Sequence, residues 1–406
     1  MRLDANRWPA DLLLALGVYL VSSIPVLLGL ILATTPGAFI HPDGVPTLLD
    51  CTVRYDGSYY RDIVEKGYWV YEDRQSGIAF FPGQPVAALL VKGLTGWSDE
   101  IALVVVSNLS FIAALALVSA FLRSRYPDQS LGLRAATLGA IAFYPAGLFF
   151  RVAYSESLFL ATTALLLLGF ARRWPVVVLA LIAGAATGVR AVGVACTAVV
   201  LLQVLLDRDR GPLGRRFLTT VLLGPVACWG LLAFMVFQGV KFGNPFAFAA
   251  AQQHWGQYVP PPEDTSSRWV KLAIAEPIWN TYIPGSPRHW SILDNHRVPG
   301  IGMTFWNPIA FVLALIAVGF GWWRGWLNRT EGLLGFGLLM IPYLSRGHEM
   351  SMASHARFVS VVIPAFVVVG RILARSPPAV PGALFAIMAC MLCIWSAMFG
   401  ALWAVF

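Results

Sequence analysis

Stretches of about 20 apolar residues, the length a helix needs to cross the hydrocarbon core of a bilayer, recur along nearly the whole chain. They predict spans near 9–34, 100–122, 134–150, 156–171, 174–189, 191–206, 217–240, 302–322, 330–345, 356–374 and 380–405. With about 11 transmembrane helices and no separate soluble domain, residues 1–406 read as one all-α polytopic domain.

The polar residues between the spans are sorted by type. Arg2 and Arg7, Arg123 and Arg125, Arg172 and Arg173, the cluster from Arg208 to Arg216, Arg324 and Arg329, and Arg371 with Arg375 fall on alternate loops. The positive-inside rule makes those loops and the N-terminus cytoplasmic. The other loops, 35–99, 241–301 and 346–355, hold most of the carboxylates, the histidines and all the lysines, and are expected on the extracytoplasmic side.

Composition agrees. At 58% hydrophobic and 12% charged residues, with a mean hydropathy of +0.69, the chain has too little polar surface for a water-soluble globule. Its net charge of +8 sits mainly in arginine clusters flanking spans, so topology accounts for it and a nucleic-acid partner is not expected. The first apolar run is long and no small-residue cleavage site follows it, which reads as a signal anchor in an integral membrane protein. Four of the five cysteines (Cys196, Cys228, Cys390, Cys393) fall in spans and Cys51 in the first outer loop, an odd set that suits neither a disulfide framework nor a metal site.

The chemistry is concentrated in the outer loops. In TLLDCTVRYDGSYYRDIVEKGYW, residues 47–69, Asp56 stands at the start of a predicted helix 57–66, either as its cap or as a base near the membrane surface. AFFPGQP at 79–85 breaks the backbone, a feature tolerated at membrane depth only where protein or water covers it. FYPAGLFFRVAYSESLFL at 143–160 sets Arg151, Tyr154, Ser155 and Glu156 at the outer junction of two spans; Glu156 is either a site residue or a solvated loop carboxylate. Arg190 follows the small-residue face Gly184, Ala185, Ala186 and Gly188, where a charge is costly unless paired, hydrated or functional; it either snorkels or addresses an anionic head group. SRGHEMSMASHARF at 345–358 gathers Arg346, His348, Glu349, His355 and Arg357. Its spacing is not HExxH, so a phosphate cradle fits better than a metal site.

These motifs, in order from residue 54 to about 360, resemble the PIG-V family, the GPI mannosyltransferase II type of the GT-C superfamily of polytopic glycosyltransferases, in its bacterial branch. RYDGSYYRDIVEKGY is similar to that family's R-W-D-G-x-x-Y-x-x-I-A-x-x-G-Y, and AFFPGQP, FYPAGLFFRVAYSESLF, FGNPFAFAAAQQHW at 242–255 and Arg357 complete the likeness. Tyr55 stands where the family usually has Trp, and Ser58 and Tyr59 depart from the eukaryotic pattern, so a different acceptor is expected. Bacteria generally lack GPI anchors, so only the reaction type carries over.

The resemblance implies a GT-C fold in the bacterial cytoplasmic membrane that moves a sugar, mannose by the family, from polyprenyl or dolichyl phosphate to a hydroxyl on the outer face, with inversion. Asp56 matches the family's loop-one Asp and would be the general base. Arg190, Arg357, His348 and His355 would hold the donor phosphate, and Arg54, Gln84, Tyr154, Glu156, His254 and Trp255 the sugar or acceptor. With arginines to take the leaving charge no cofactor is required, whereas a pyrophosphate donor would bring in a divalent cation. A transporter or flippase for a lipid-linked substrate is the competing class; it would favour internal repeats and midplane polar residues, and this chain has neither.

Overall fold

The long apolar stretches fold as helices, and no strand forms among the described residues. The structure, a computed structural model, describes residues 8–39, 44–127, 131–256, 266–293 and 300–403. Arg2, Arg7, residues 258–265 of the second outer loop and 404–405 of the last expected span lie outside the described residues. Helices of more than ten residues are α1 (Trp8–Ala33), α2 (Asp56–Lys66), α3 (Gly83–Thr95), α4 (Asp99–Arg125), α5 (Leu131–Ala142), α6 (Glu156–Ala171), α7 (Val176–Val189), α8 (Val194–Leu206), α9 (Leu213–Ala227), α10 (Trp229–Phe242), α11 (Met303–Trp323), α12 (Arg329–Arg346), α13 (Ile363–Leu373) and α14 (Ala379–Gly400).

Among the described residues α1, α4, α11 and α14 are each long and apolar enough to cross a bilayer, and α5, α6, α7, α8 and α13 are shorter apolar helices. Only 33% of the most apolar window of α1 is buried, and Leu12, Leu20, Ile24, Leu28 and Ile31 face outward. Phe217, Val221 and Leu222 on α9 and Val236 and Val240 on α10 do the same. Apolar surface on that scale has no place in water and suits lipid. The chain is an all-α, polytopic membrane protein.

Three expected spans are broken. The stretch 134–150 is α5 followed by a 3-10 turn Pro145–Phe150, because Pro145 has no N–H to continue the helical ladder. The stretch 217–240 is α9 and α10, bent by 56° at Cys228, three residues after Pro225. The stretch 356–374 begins with a separate short helix His355–Val359 before α13, which opens with Ile363 and Pro364. Proline and small residues, invisible to a count of apolar positions, account for the breaks.

The bend in α9–α10 allows a close approach to α7. A Cβ on Gly230 would lie 2.5 Å from both the Gly184 carbonyl oxygen and the Gly188 nitrogen, so only glycine fits. At the start of α3, a Cβ on Gly83 would lie 2.7 Å from Val189 Cγ2. Both contacts seat the end of α7 that carries Arg190.

The arginine-rich loops collect at one end of the bundle. Arg134 and Arg123 both pair with Asp11, buried in the first turn of α1. Arg125 pairs with Glu331, Arg172 Nε donates to Ser124, the Tyr126 hydroxyl donates to the Trp326 carbonyl, and Arg371 and Arg375 lie over the Trp326 ring. The alternation seen in the sequence thus corresponds to a spatial sorting, and the other end holds the candidate site.

Candidate active site

Asp56 is the first residue of α2, and its geometry is unusual from the backbone outward. Tyr55 before it has φ 52 and ψ −121, a conformation that costs a non-glycine residue on the order of 1–3 kcal/mol unless its surroundings hold it. They do: the Tyr55 hydroxyl donates to the Trp403 carbonyl at 2.9 Å and its ring packs on Phe399 at 5.5 Å. The Asp56 N–H donates to the Tyr154 hydroxyl at 3.2 Å. The helix N-cap is Tyr55, without a side-chain capping bond. The carboxylate itself turns to a different partner, Arg357, whose Nη1 donates to Asp56 Oδ2 at 2.7 Å.

From there a chain of charges continues. Arg357 Nε lies 2.8 Å from Glu156 Oε1, and Arg190 Nη1 lies 2.6 Å from the same oxygen. Arg190 Nη1 also donates to Ser155 Oγ at 3.2 Å, and Ser155 Oγ accepts from the Tyr60 hydroxyl at 3.0 Å. Four charged side chains from four separate segments therefore form one network, with two carboxylates balancing two guanidinium groups. Its side chains differ in access: Asp56 and Arg190 are each 15% exposed and Arg357 11%, while Glu156 is 1% exposed. Glu156 is the sealed anchor, and the others form the reachable face. The Arg357 guanidinium lies 5.4 Å from the Phe149 ring centroid and 5.2 Å from that of Tyr154, contacts that favour a partly desolvated cation.

Each arginine reaches this place through a break in regular structure. Arg190 ends α7 in an extended conformation, φ −151 and ψ 146, before the turn that leads into α8. Arg357 sits in the short helix His355–Val359, whose preceding loop is braced from outside. Arg288 Nη1 donates to the His348 carbonyl at 2.6 Å and to Ser351 Oγ at 3.0 Å, and Arg288 Nε lies 3.2 Å from Glu276 Oε1. Arg268 pairs with Glu349 at 2.6 Å, and Arg346 Nη1 donates to the Gln252 carbonyl at 2.8 Å.

Several expected site residues occupy different roles from those read in the sequence. Glu156, expected against sugar or acceptor, is instead the buried link between the two arginines. Tyr154, 1% exposed, accepts the Asp56 N–H and donates to the Arg54 carbonyl at 3.4 Å, so it positions the Asp56 turn. Gln84 is fully buried and its Nε2 donates to the Leu103 carbonyl and Ser107 Oγ, fastening α3 to α4. The Arg54 side chain is half-buried beside Cys51. His254 and Trp255 lie beside α2, where Trp255 packs 5.2 Å from Tyr59 and 5.4 Å from Phe80.

His348 and His355, the candidate phosphate contacts, are both held toward the neutral form. Burial, then the neighbouring Arg288 guanidinium, lower the pKa of His348. Burial lowers His355 to about 4; its Nδ1 lies 2.8 Å from the Met352 carbonyl and its ring packs against Phe311, Tyr343 and Phe358. The consequence for stability has a definite sign. In the unfolded chain the His355 imidazole protonates near its ordinary value of about 6.5, while in the fold it stays neutral down to about 4, so stability falls as pH drops through that window. The loss is on the order of 2 kcal/mol by pH 5. Melting temperatures of wild type and His355→Gln at pH 7 and pH 5 test this; an equal acid shift in both would contradict it.

Other partners were not legible. Ser155, Tyr60, Tyr59 and Phe80 lie within the quoted motifs, but their pairing does not follow from them: Tyr60 donates to Ser155 and Tyr59 stacks on Phe80 at 4.9 Å and on Trp69. Arg151 was visible at a junction, but its setting was not: it is 5% exposed, donates to Ser22, Ser23 and the Gly147 carbonyl and lies over Phe111 at 4.8 Å, holding the Pro145–Phe150 turn against α1. Among the described residues no three His, Cys, Asp or Glu side chains gather as a metal site.

Several solved structures are similar to this chain over most of its length. ArnT from Cupriavidus metallidurans, bound to undecaprenyl phosphate, has a TM-score of 0.48 at 16% identity over 92% of this chain and 62% of its own. The Archaeoglobus fulgidus oligosaccharyltransferase in its apo form has a TM-score of 0.47 at 12% identity, over 96% of this chain and 56% of its own. Archaeal AglB from the same organism, in complex with an inhibitory peptide and a dolichol-phosphate, gives 0.44 at 11% identity, over 96% and 55%. The chain thus spans 55% to 62% of the length of these structures. No family model and no curated protein matches it.

Proposed function

We propose that this chain is an inverting membrane glycosyltransferase of the GT-C superfamily, similar to the PIG-V family, that moves a sugar from a polyprenyl or dolichyl phosphate to an acceptor hydroxyl. The observation that carries the reading is the convergence of its separate motifs. RYDGSYY, YSES, the Arg190 segment and the Arg357 segment, scattered over some 300 positions (Asp56 and Arg357 are 301 apart), contribute to a single ion network at the bundle end opposite the arginine-rich loops. The positive-inside rule supports an extracytoplasmic site in a bacterial cytoplasmic membrane, and the motif resemblance supports mannose as the sugar.

The chemistry follows from the accessible face of the network. Asp56, with its turn fixed by Tyr55 and Tyr154, takes the acceptor proton as the acceptor oxygen attacks the anomeric carbon. The leaving phosphodiester becomes a monoester and gains negative charge, which Arg357 and Arg190 stabilise. Both arginines are fixed by Glu156 before substrate arrives, so little reorganisation is needed. Tyr59 and Trp255, on the face of α2 that continues past Asp56, lie where an acceptor would be held.

The test is stereochemical as well as catalytic. Membranes containing the protein, given radiolabelled β-linked polyprenyl-phosphate mannose and native lipid extract, are expected to yield a labelled product that α-mannosidase releases. A labelled product resistant to α-mannosidase and cleaved by β-mannosidase would refute single displacement.

A further inference from the structure

Arg357 stands between two anions that the reaction treats in opposite ways. Its Nε contact with Glu156 is sealed, since Glu156 is 1% exposed, while its Nη1 contact with Asp56 lies at the open edge, where Asp56 is 15% exposed. A phosphate arriving from that edge meets a guanidinium whose outward nitrogen already holds a carboxylate. The network of Asp56, Glu156, Arg190 and Arg357 is electrically balanced without it, so an added phosphodiester leaves one negative charge in excess in a poorly hydrated place.

The transfer step keeps that total and moves the negative charge from Asp56 to the phosphate. The acceptor O–H proton passes to an Asp56 oxygen, the acceptor oxygen bonds the anomeric carbon, and the bond from that carbon to the phosphate oxygen breaks with its electron pair going to the phosphate. Asp56 loses a negative charge as the phosphate gains one. We propose that Arg357 changes partner in step with this shift, held by Asp56 in the resting enzyme and by the carrier phosphate as the sugar leaves, with the Glu156 contact as the fixed pivot. The proposal rests on the lipid-phosphate glycosyltransferase reading above. It gives Asp56 a second role: the ionised carboxylate competes with phosphate for Arg357. When Asp56 loses its proton after turnover it takes Arg357 back, which expels the spent carrier.

Binding separates this from catalysis. Full-length protein in nanodiscs is titrated with undecaprenyl phosphate, and with undecaprenol as the uncharged control, for wild type, Asp56→Asn, Arg357→Gln and the double variant. Glu156 still holds Arg357 in Asp56→Asn, so that variant keeps the cation in place. Removing the competing carboxylate is expected to tighten undecaprenyl phosphate about tenfold, the scale of one charge-assisted hydrogen bond, with no change for undecaprenol. Arg357→Gln is expected to weaken it about tenfold or more, and Asp56→Asn should then bring no gain, since the coupling runs through the missing guanidinium. Arg357→Lys, which keeps the charge, serves if the Gln variant does not fold, and there Asp56→Asn is still expected to tighten binding.

Unchanged or weaker binding by Asp56→Asn, alongside a loss in the Arg357 variants, would overturn the exchange and leave the phosphate-binding reading intact. Equal tightening of undecaprenol would also overturn it. Undecaprenyl phosphate bound alike by wild type and Arg357 variants, or by none of the proteins, would defeat the underlying reading as well.

Discussion

Asp56→Asn is expected to lower sugar transfer by about 10²- to 10⁴-fold, the usual contribution of a positioned general base, while the protein stays folded. Asn keeps the size and the hydrogen-bonding shape of Asp but cannot accept the acceptor proton. The fold has little to lose at this position. The Asp56 carboxylate is bonded to Arg357, and its helix takes no capping bond from a side chain. Arg357 retains Glu156 at 2.8 Å when Asp56 is neutralised, so no buried cation is left alone. Initial rates of label transfer with matched amounts of folded protein measure the effect. A variant retaining a tenth or more of the wild-type rate would remove Asp56 as the base.

Glu156→Gln is expected to act through stability and binding together. The Glu156 carboxylate is the shared partner of Arg190 at 2.6 Å and Arg357 at 2.8 Å, and it is 1% exposed. Neutralising it leaves two guanidinium groups near one another with Asp56, the partner of Arg357, as the remaining carboxylate of the network. Breaking a buried pair from one side costs about 3–5 kcal/mol, because the remaining charge stays desolvated without its counter-ion. The melting temperature should fall by several degrees, and affinity for the lipid phosphate should fall with it as the arginines lose their fixed spacing. Glu156→Asp, which keeps the charge on a shorter stem, should recover part of both. A Gln variant with wild-type melting temperature and wild-type affinity would show that Glu156 anchors neither arginine.

The two substitutions also sort a question that the sequence left open. Asp56 and Glu156 were both candidate carboxylates near the outer ends of spans, and each had an ordinary structural explanation beside the chemical one. Their surroundings divide the roles. Asp56 is reachable and begins a helix on an unusual turn, whereas Glu156 is enclosed and committed to two cations. Such commitments were not legible, because the residues that meet are remote: Tyr60 and Ser155 are 95 positions apart, and Asp56 and Arg357 are 301 apart.

Much of the helical framework was readable from apolar length alone, as α1, α4, α11 and α14 illustrate. The broken helices were not, since Pro145, Pro225 and Pro364 interrupt stretches that are mostly apolar. Those interruptions matter most for the site: the turn before Glu156, the bend that allows Gly230 to meet Gly184 and Gly188, and the break after Val359 lie beside the network. Of the arginine clusters, Arg123, Arg125, Arg172, Arg371 and Arg375 share one end of the bundle through Asp11, Glu331, Ser124 and Trp326. The burial of the histidines was not readable from a polar sequence stretch, and it keeps His355 neutral at physiological pH.

The measurement that tests the central claim most directly follows the sugar and its carrier separately. Purified protein in liposomes is given polyprenyl phosphate mannose labelled in the mannose, together with native lipid extract, and the fraction of label that has left the carrier is compared for wild type and Asp56→Asn. The account predicts that wild type moves label from the carrier to a new acceptor, and that Asp56→Asn binds the carrier but leaves the label on it. Label that stays on the carrier in both while crossing the bilayer would indicate a flippase, and equal release by both proteins would contradict Asp56 as the base.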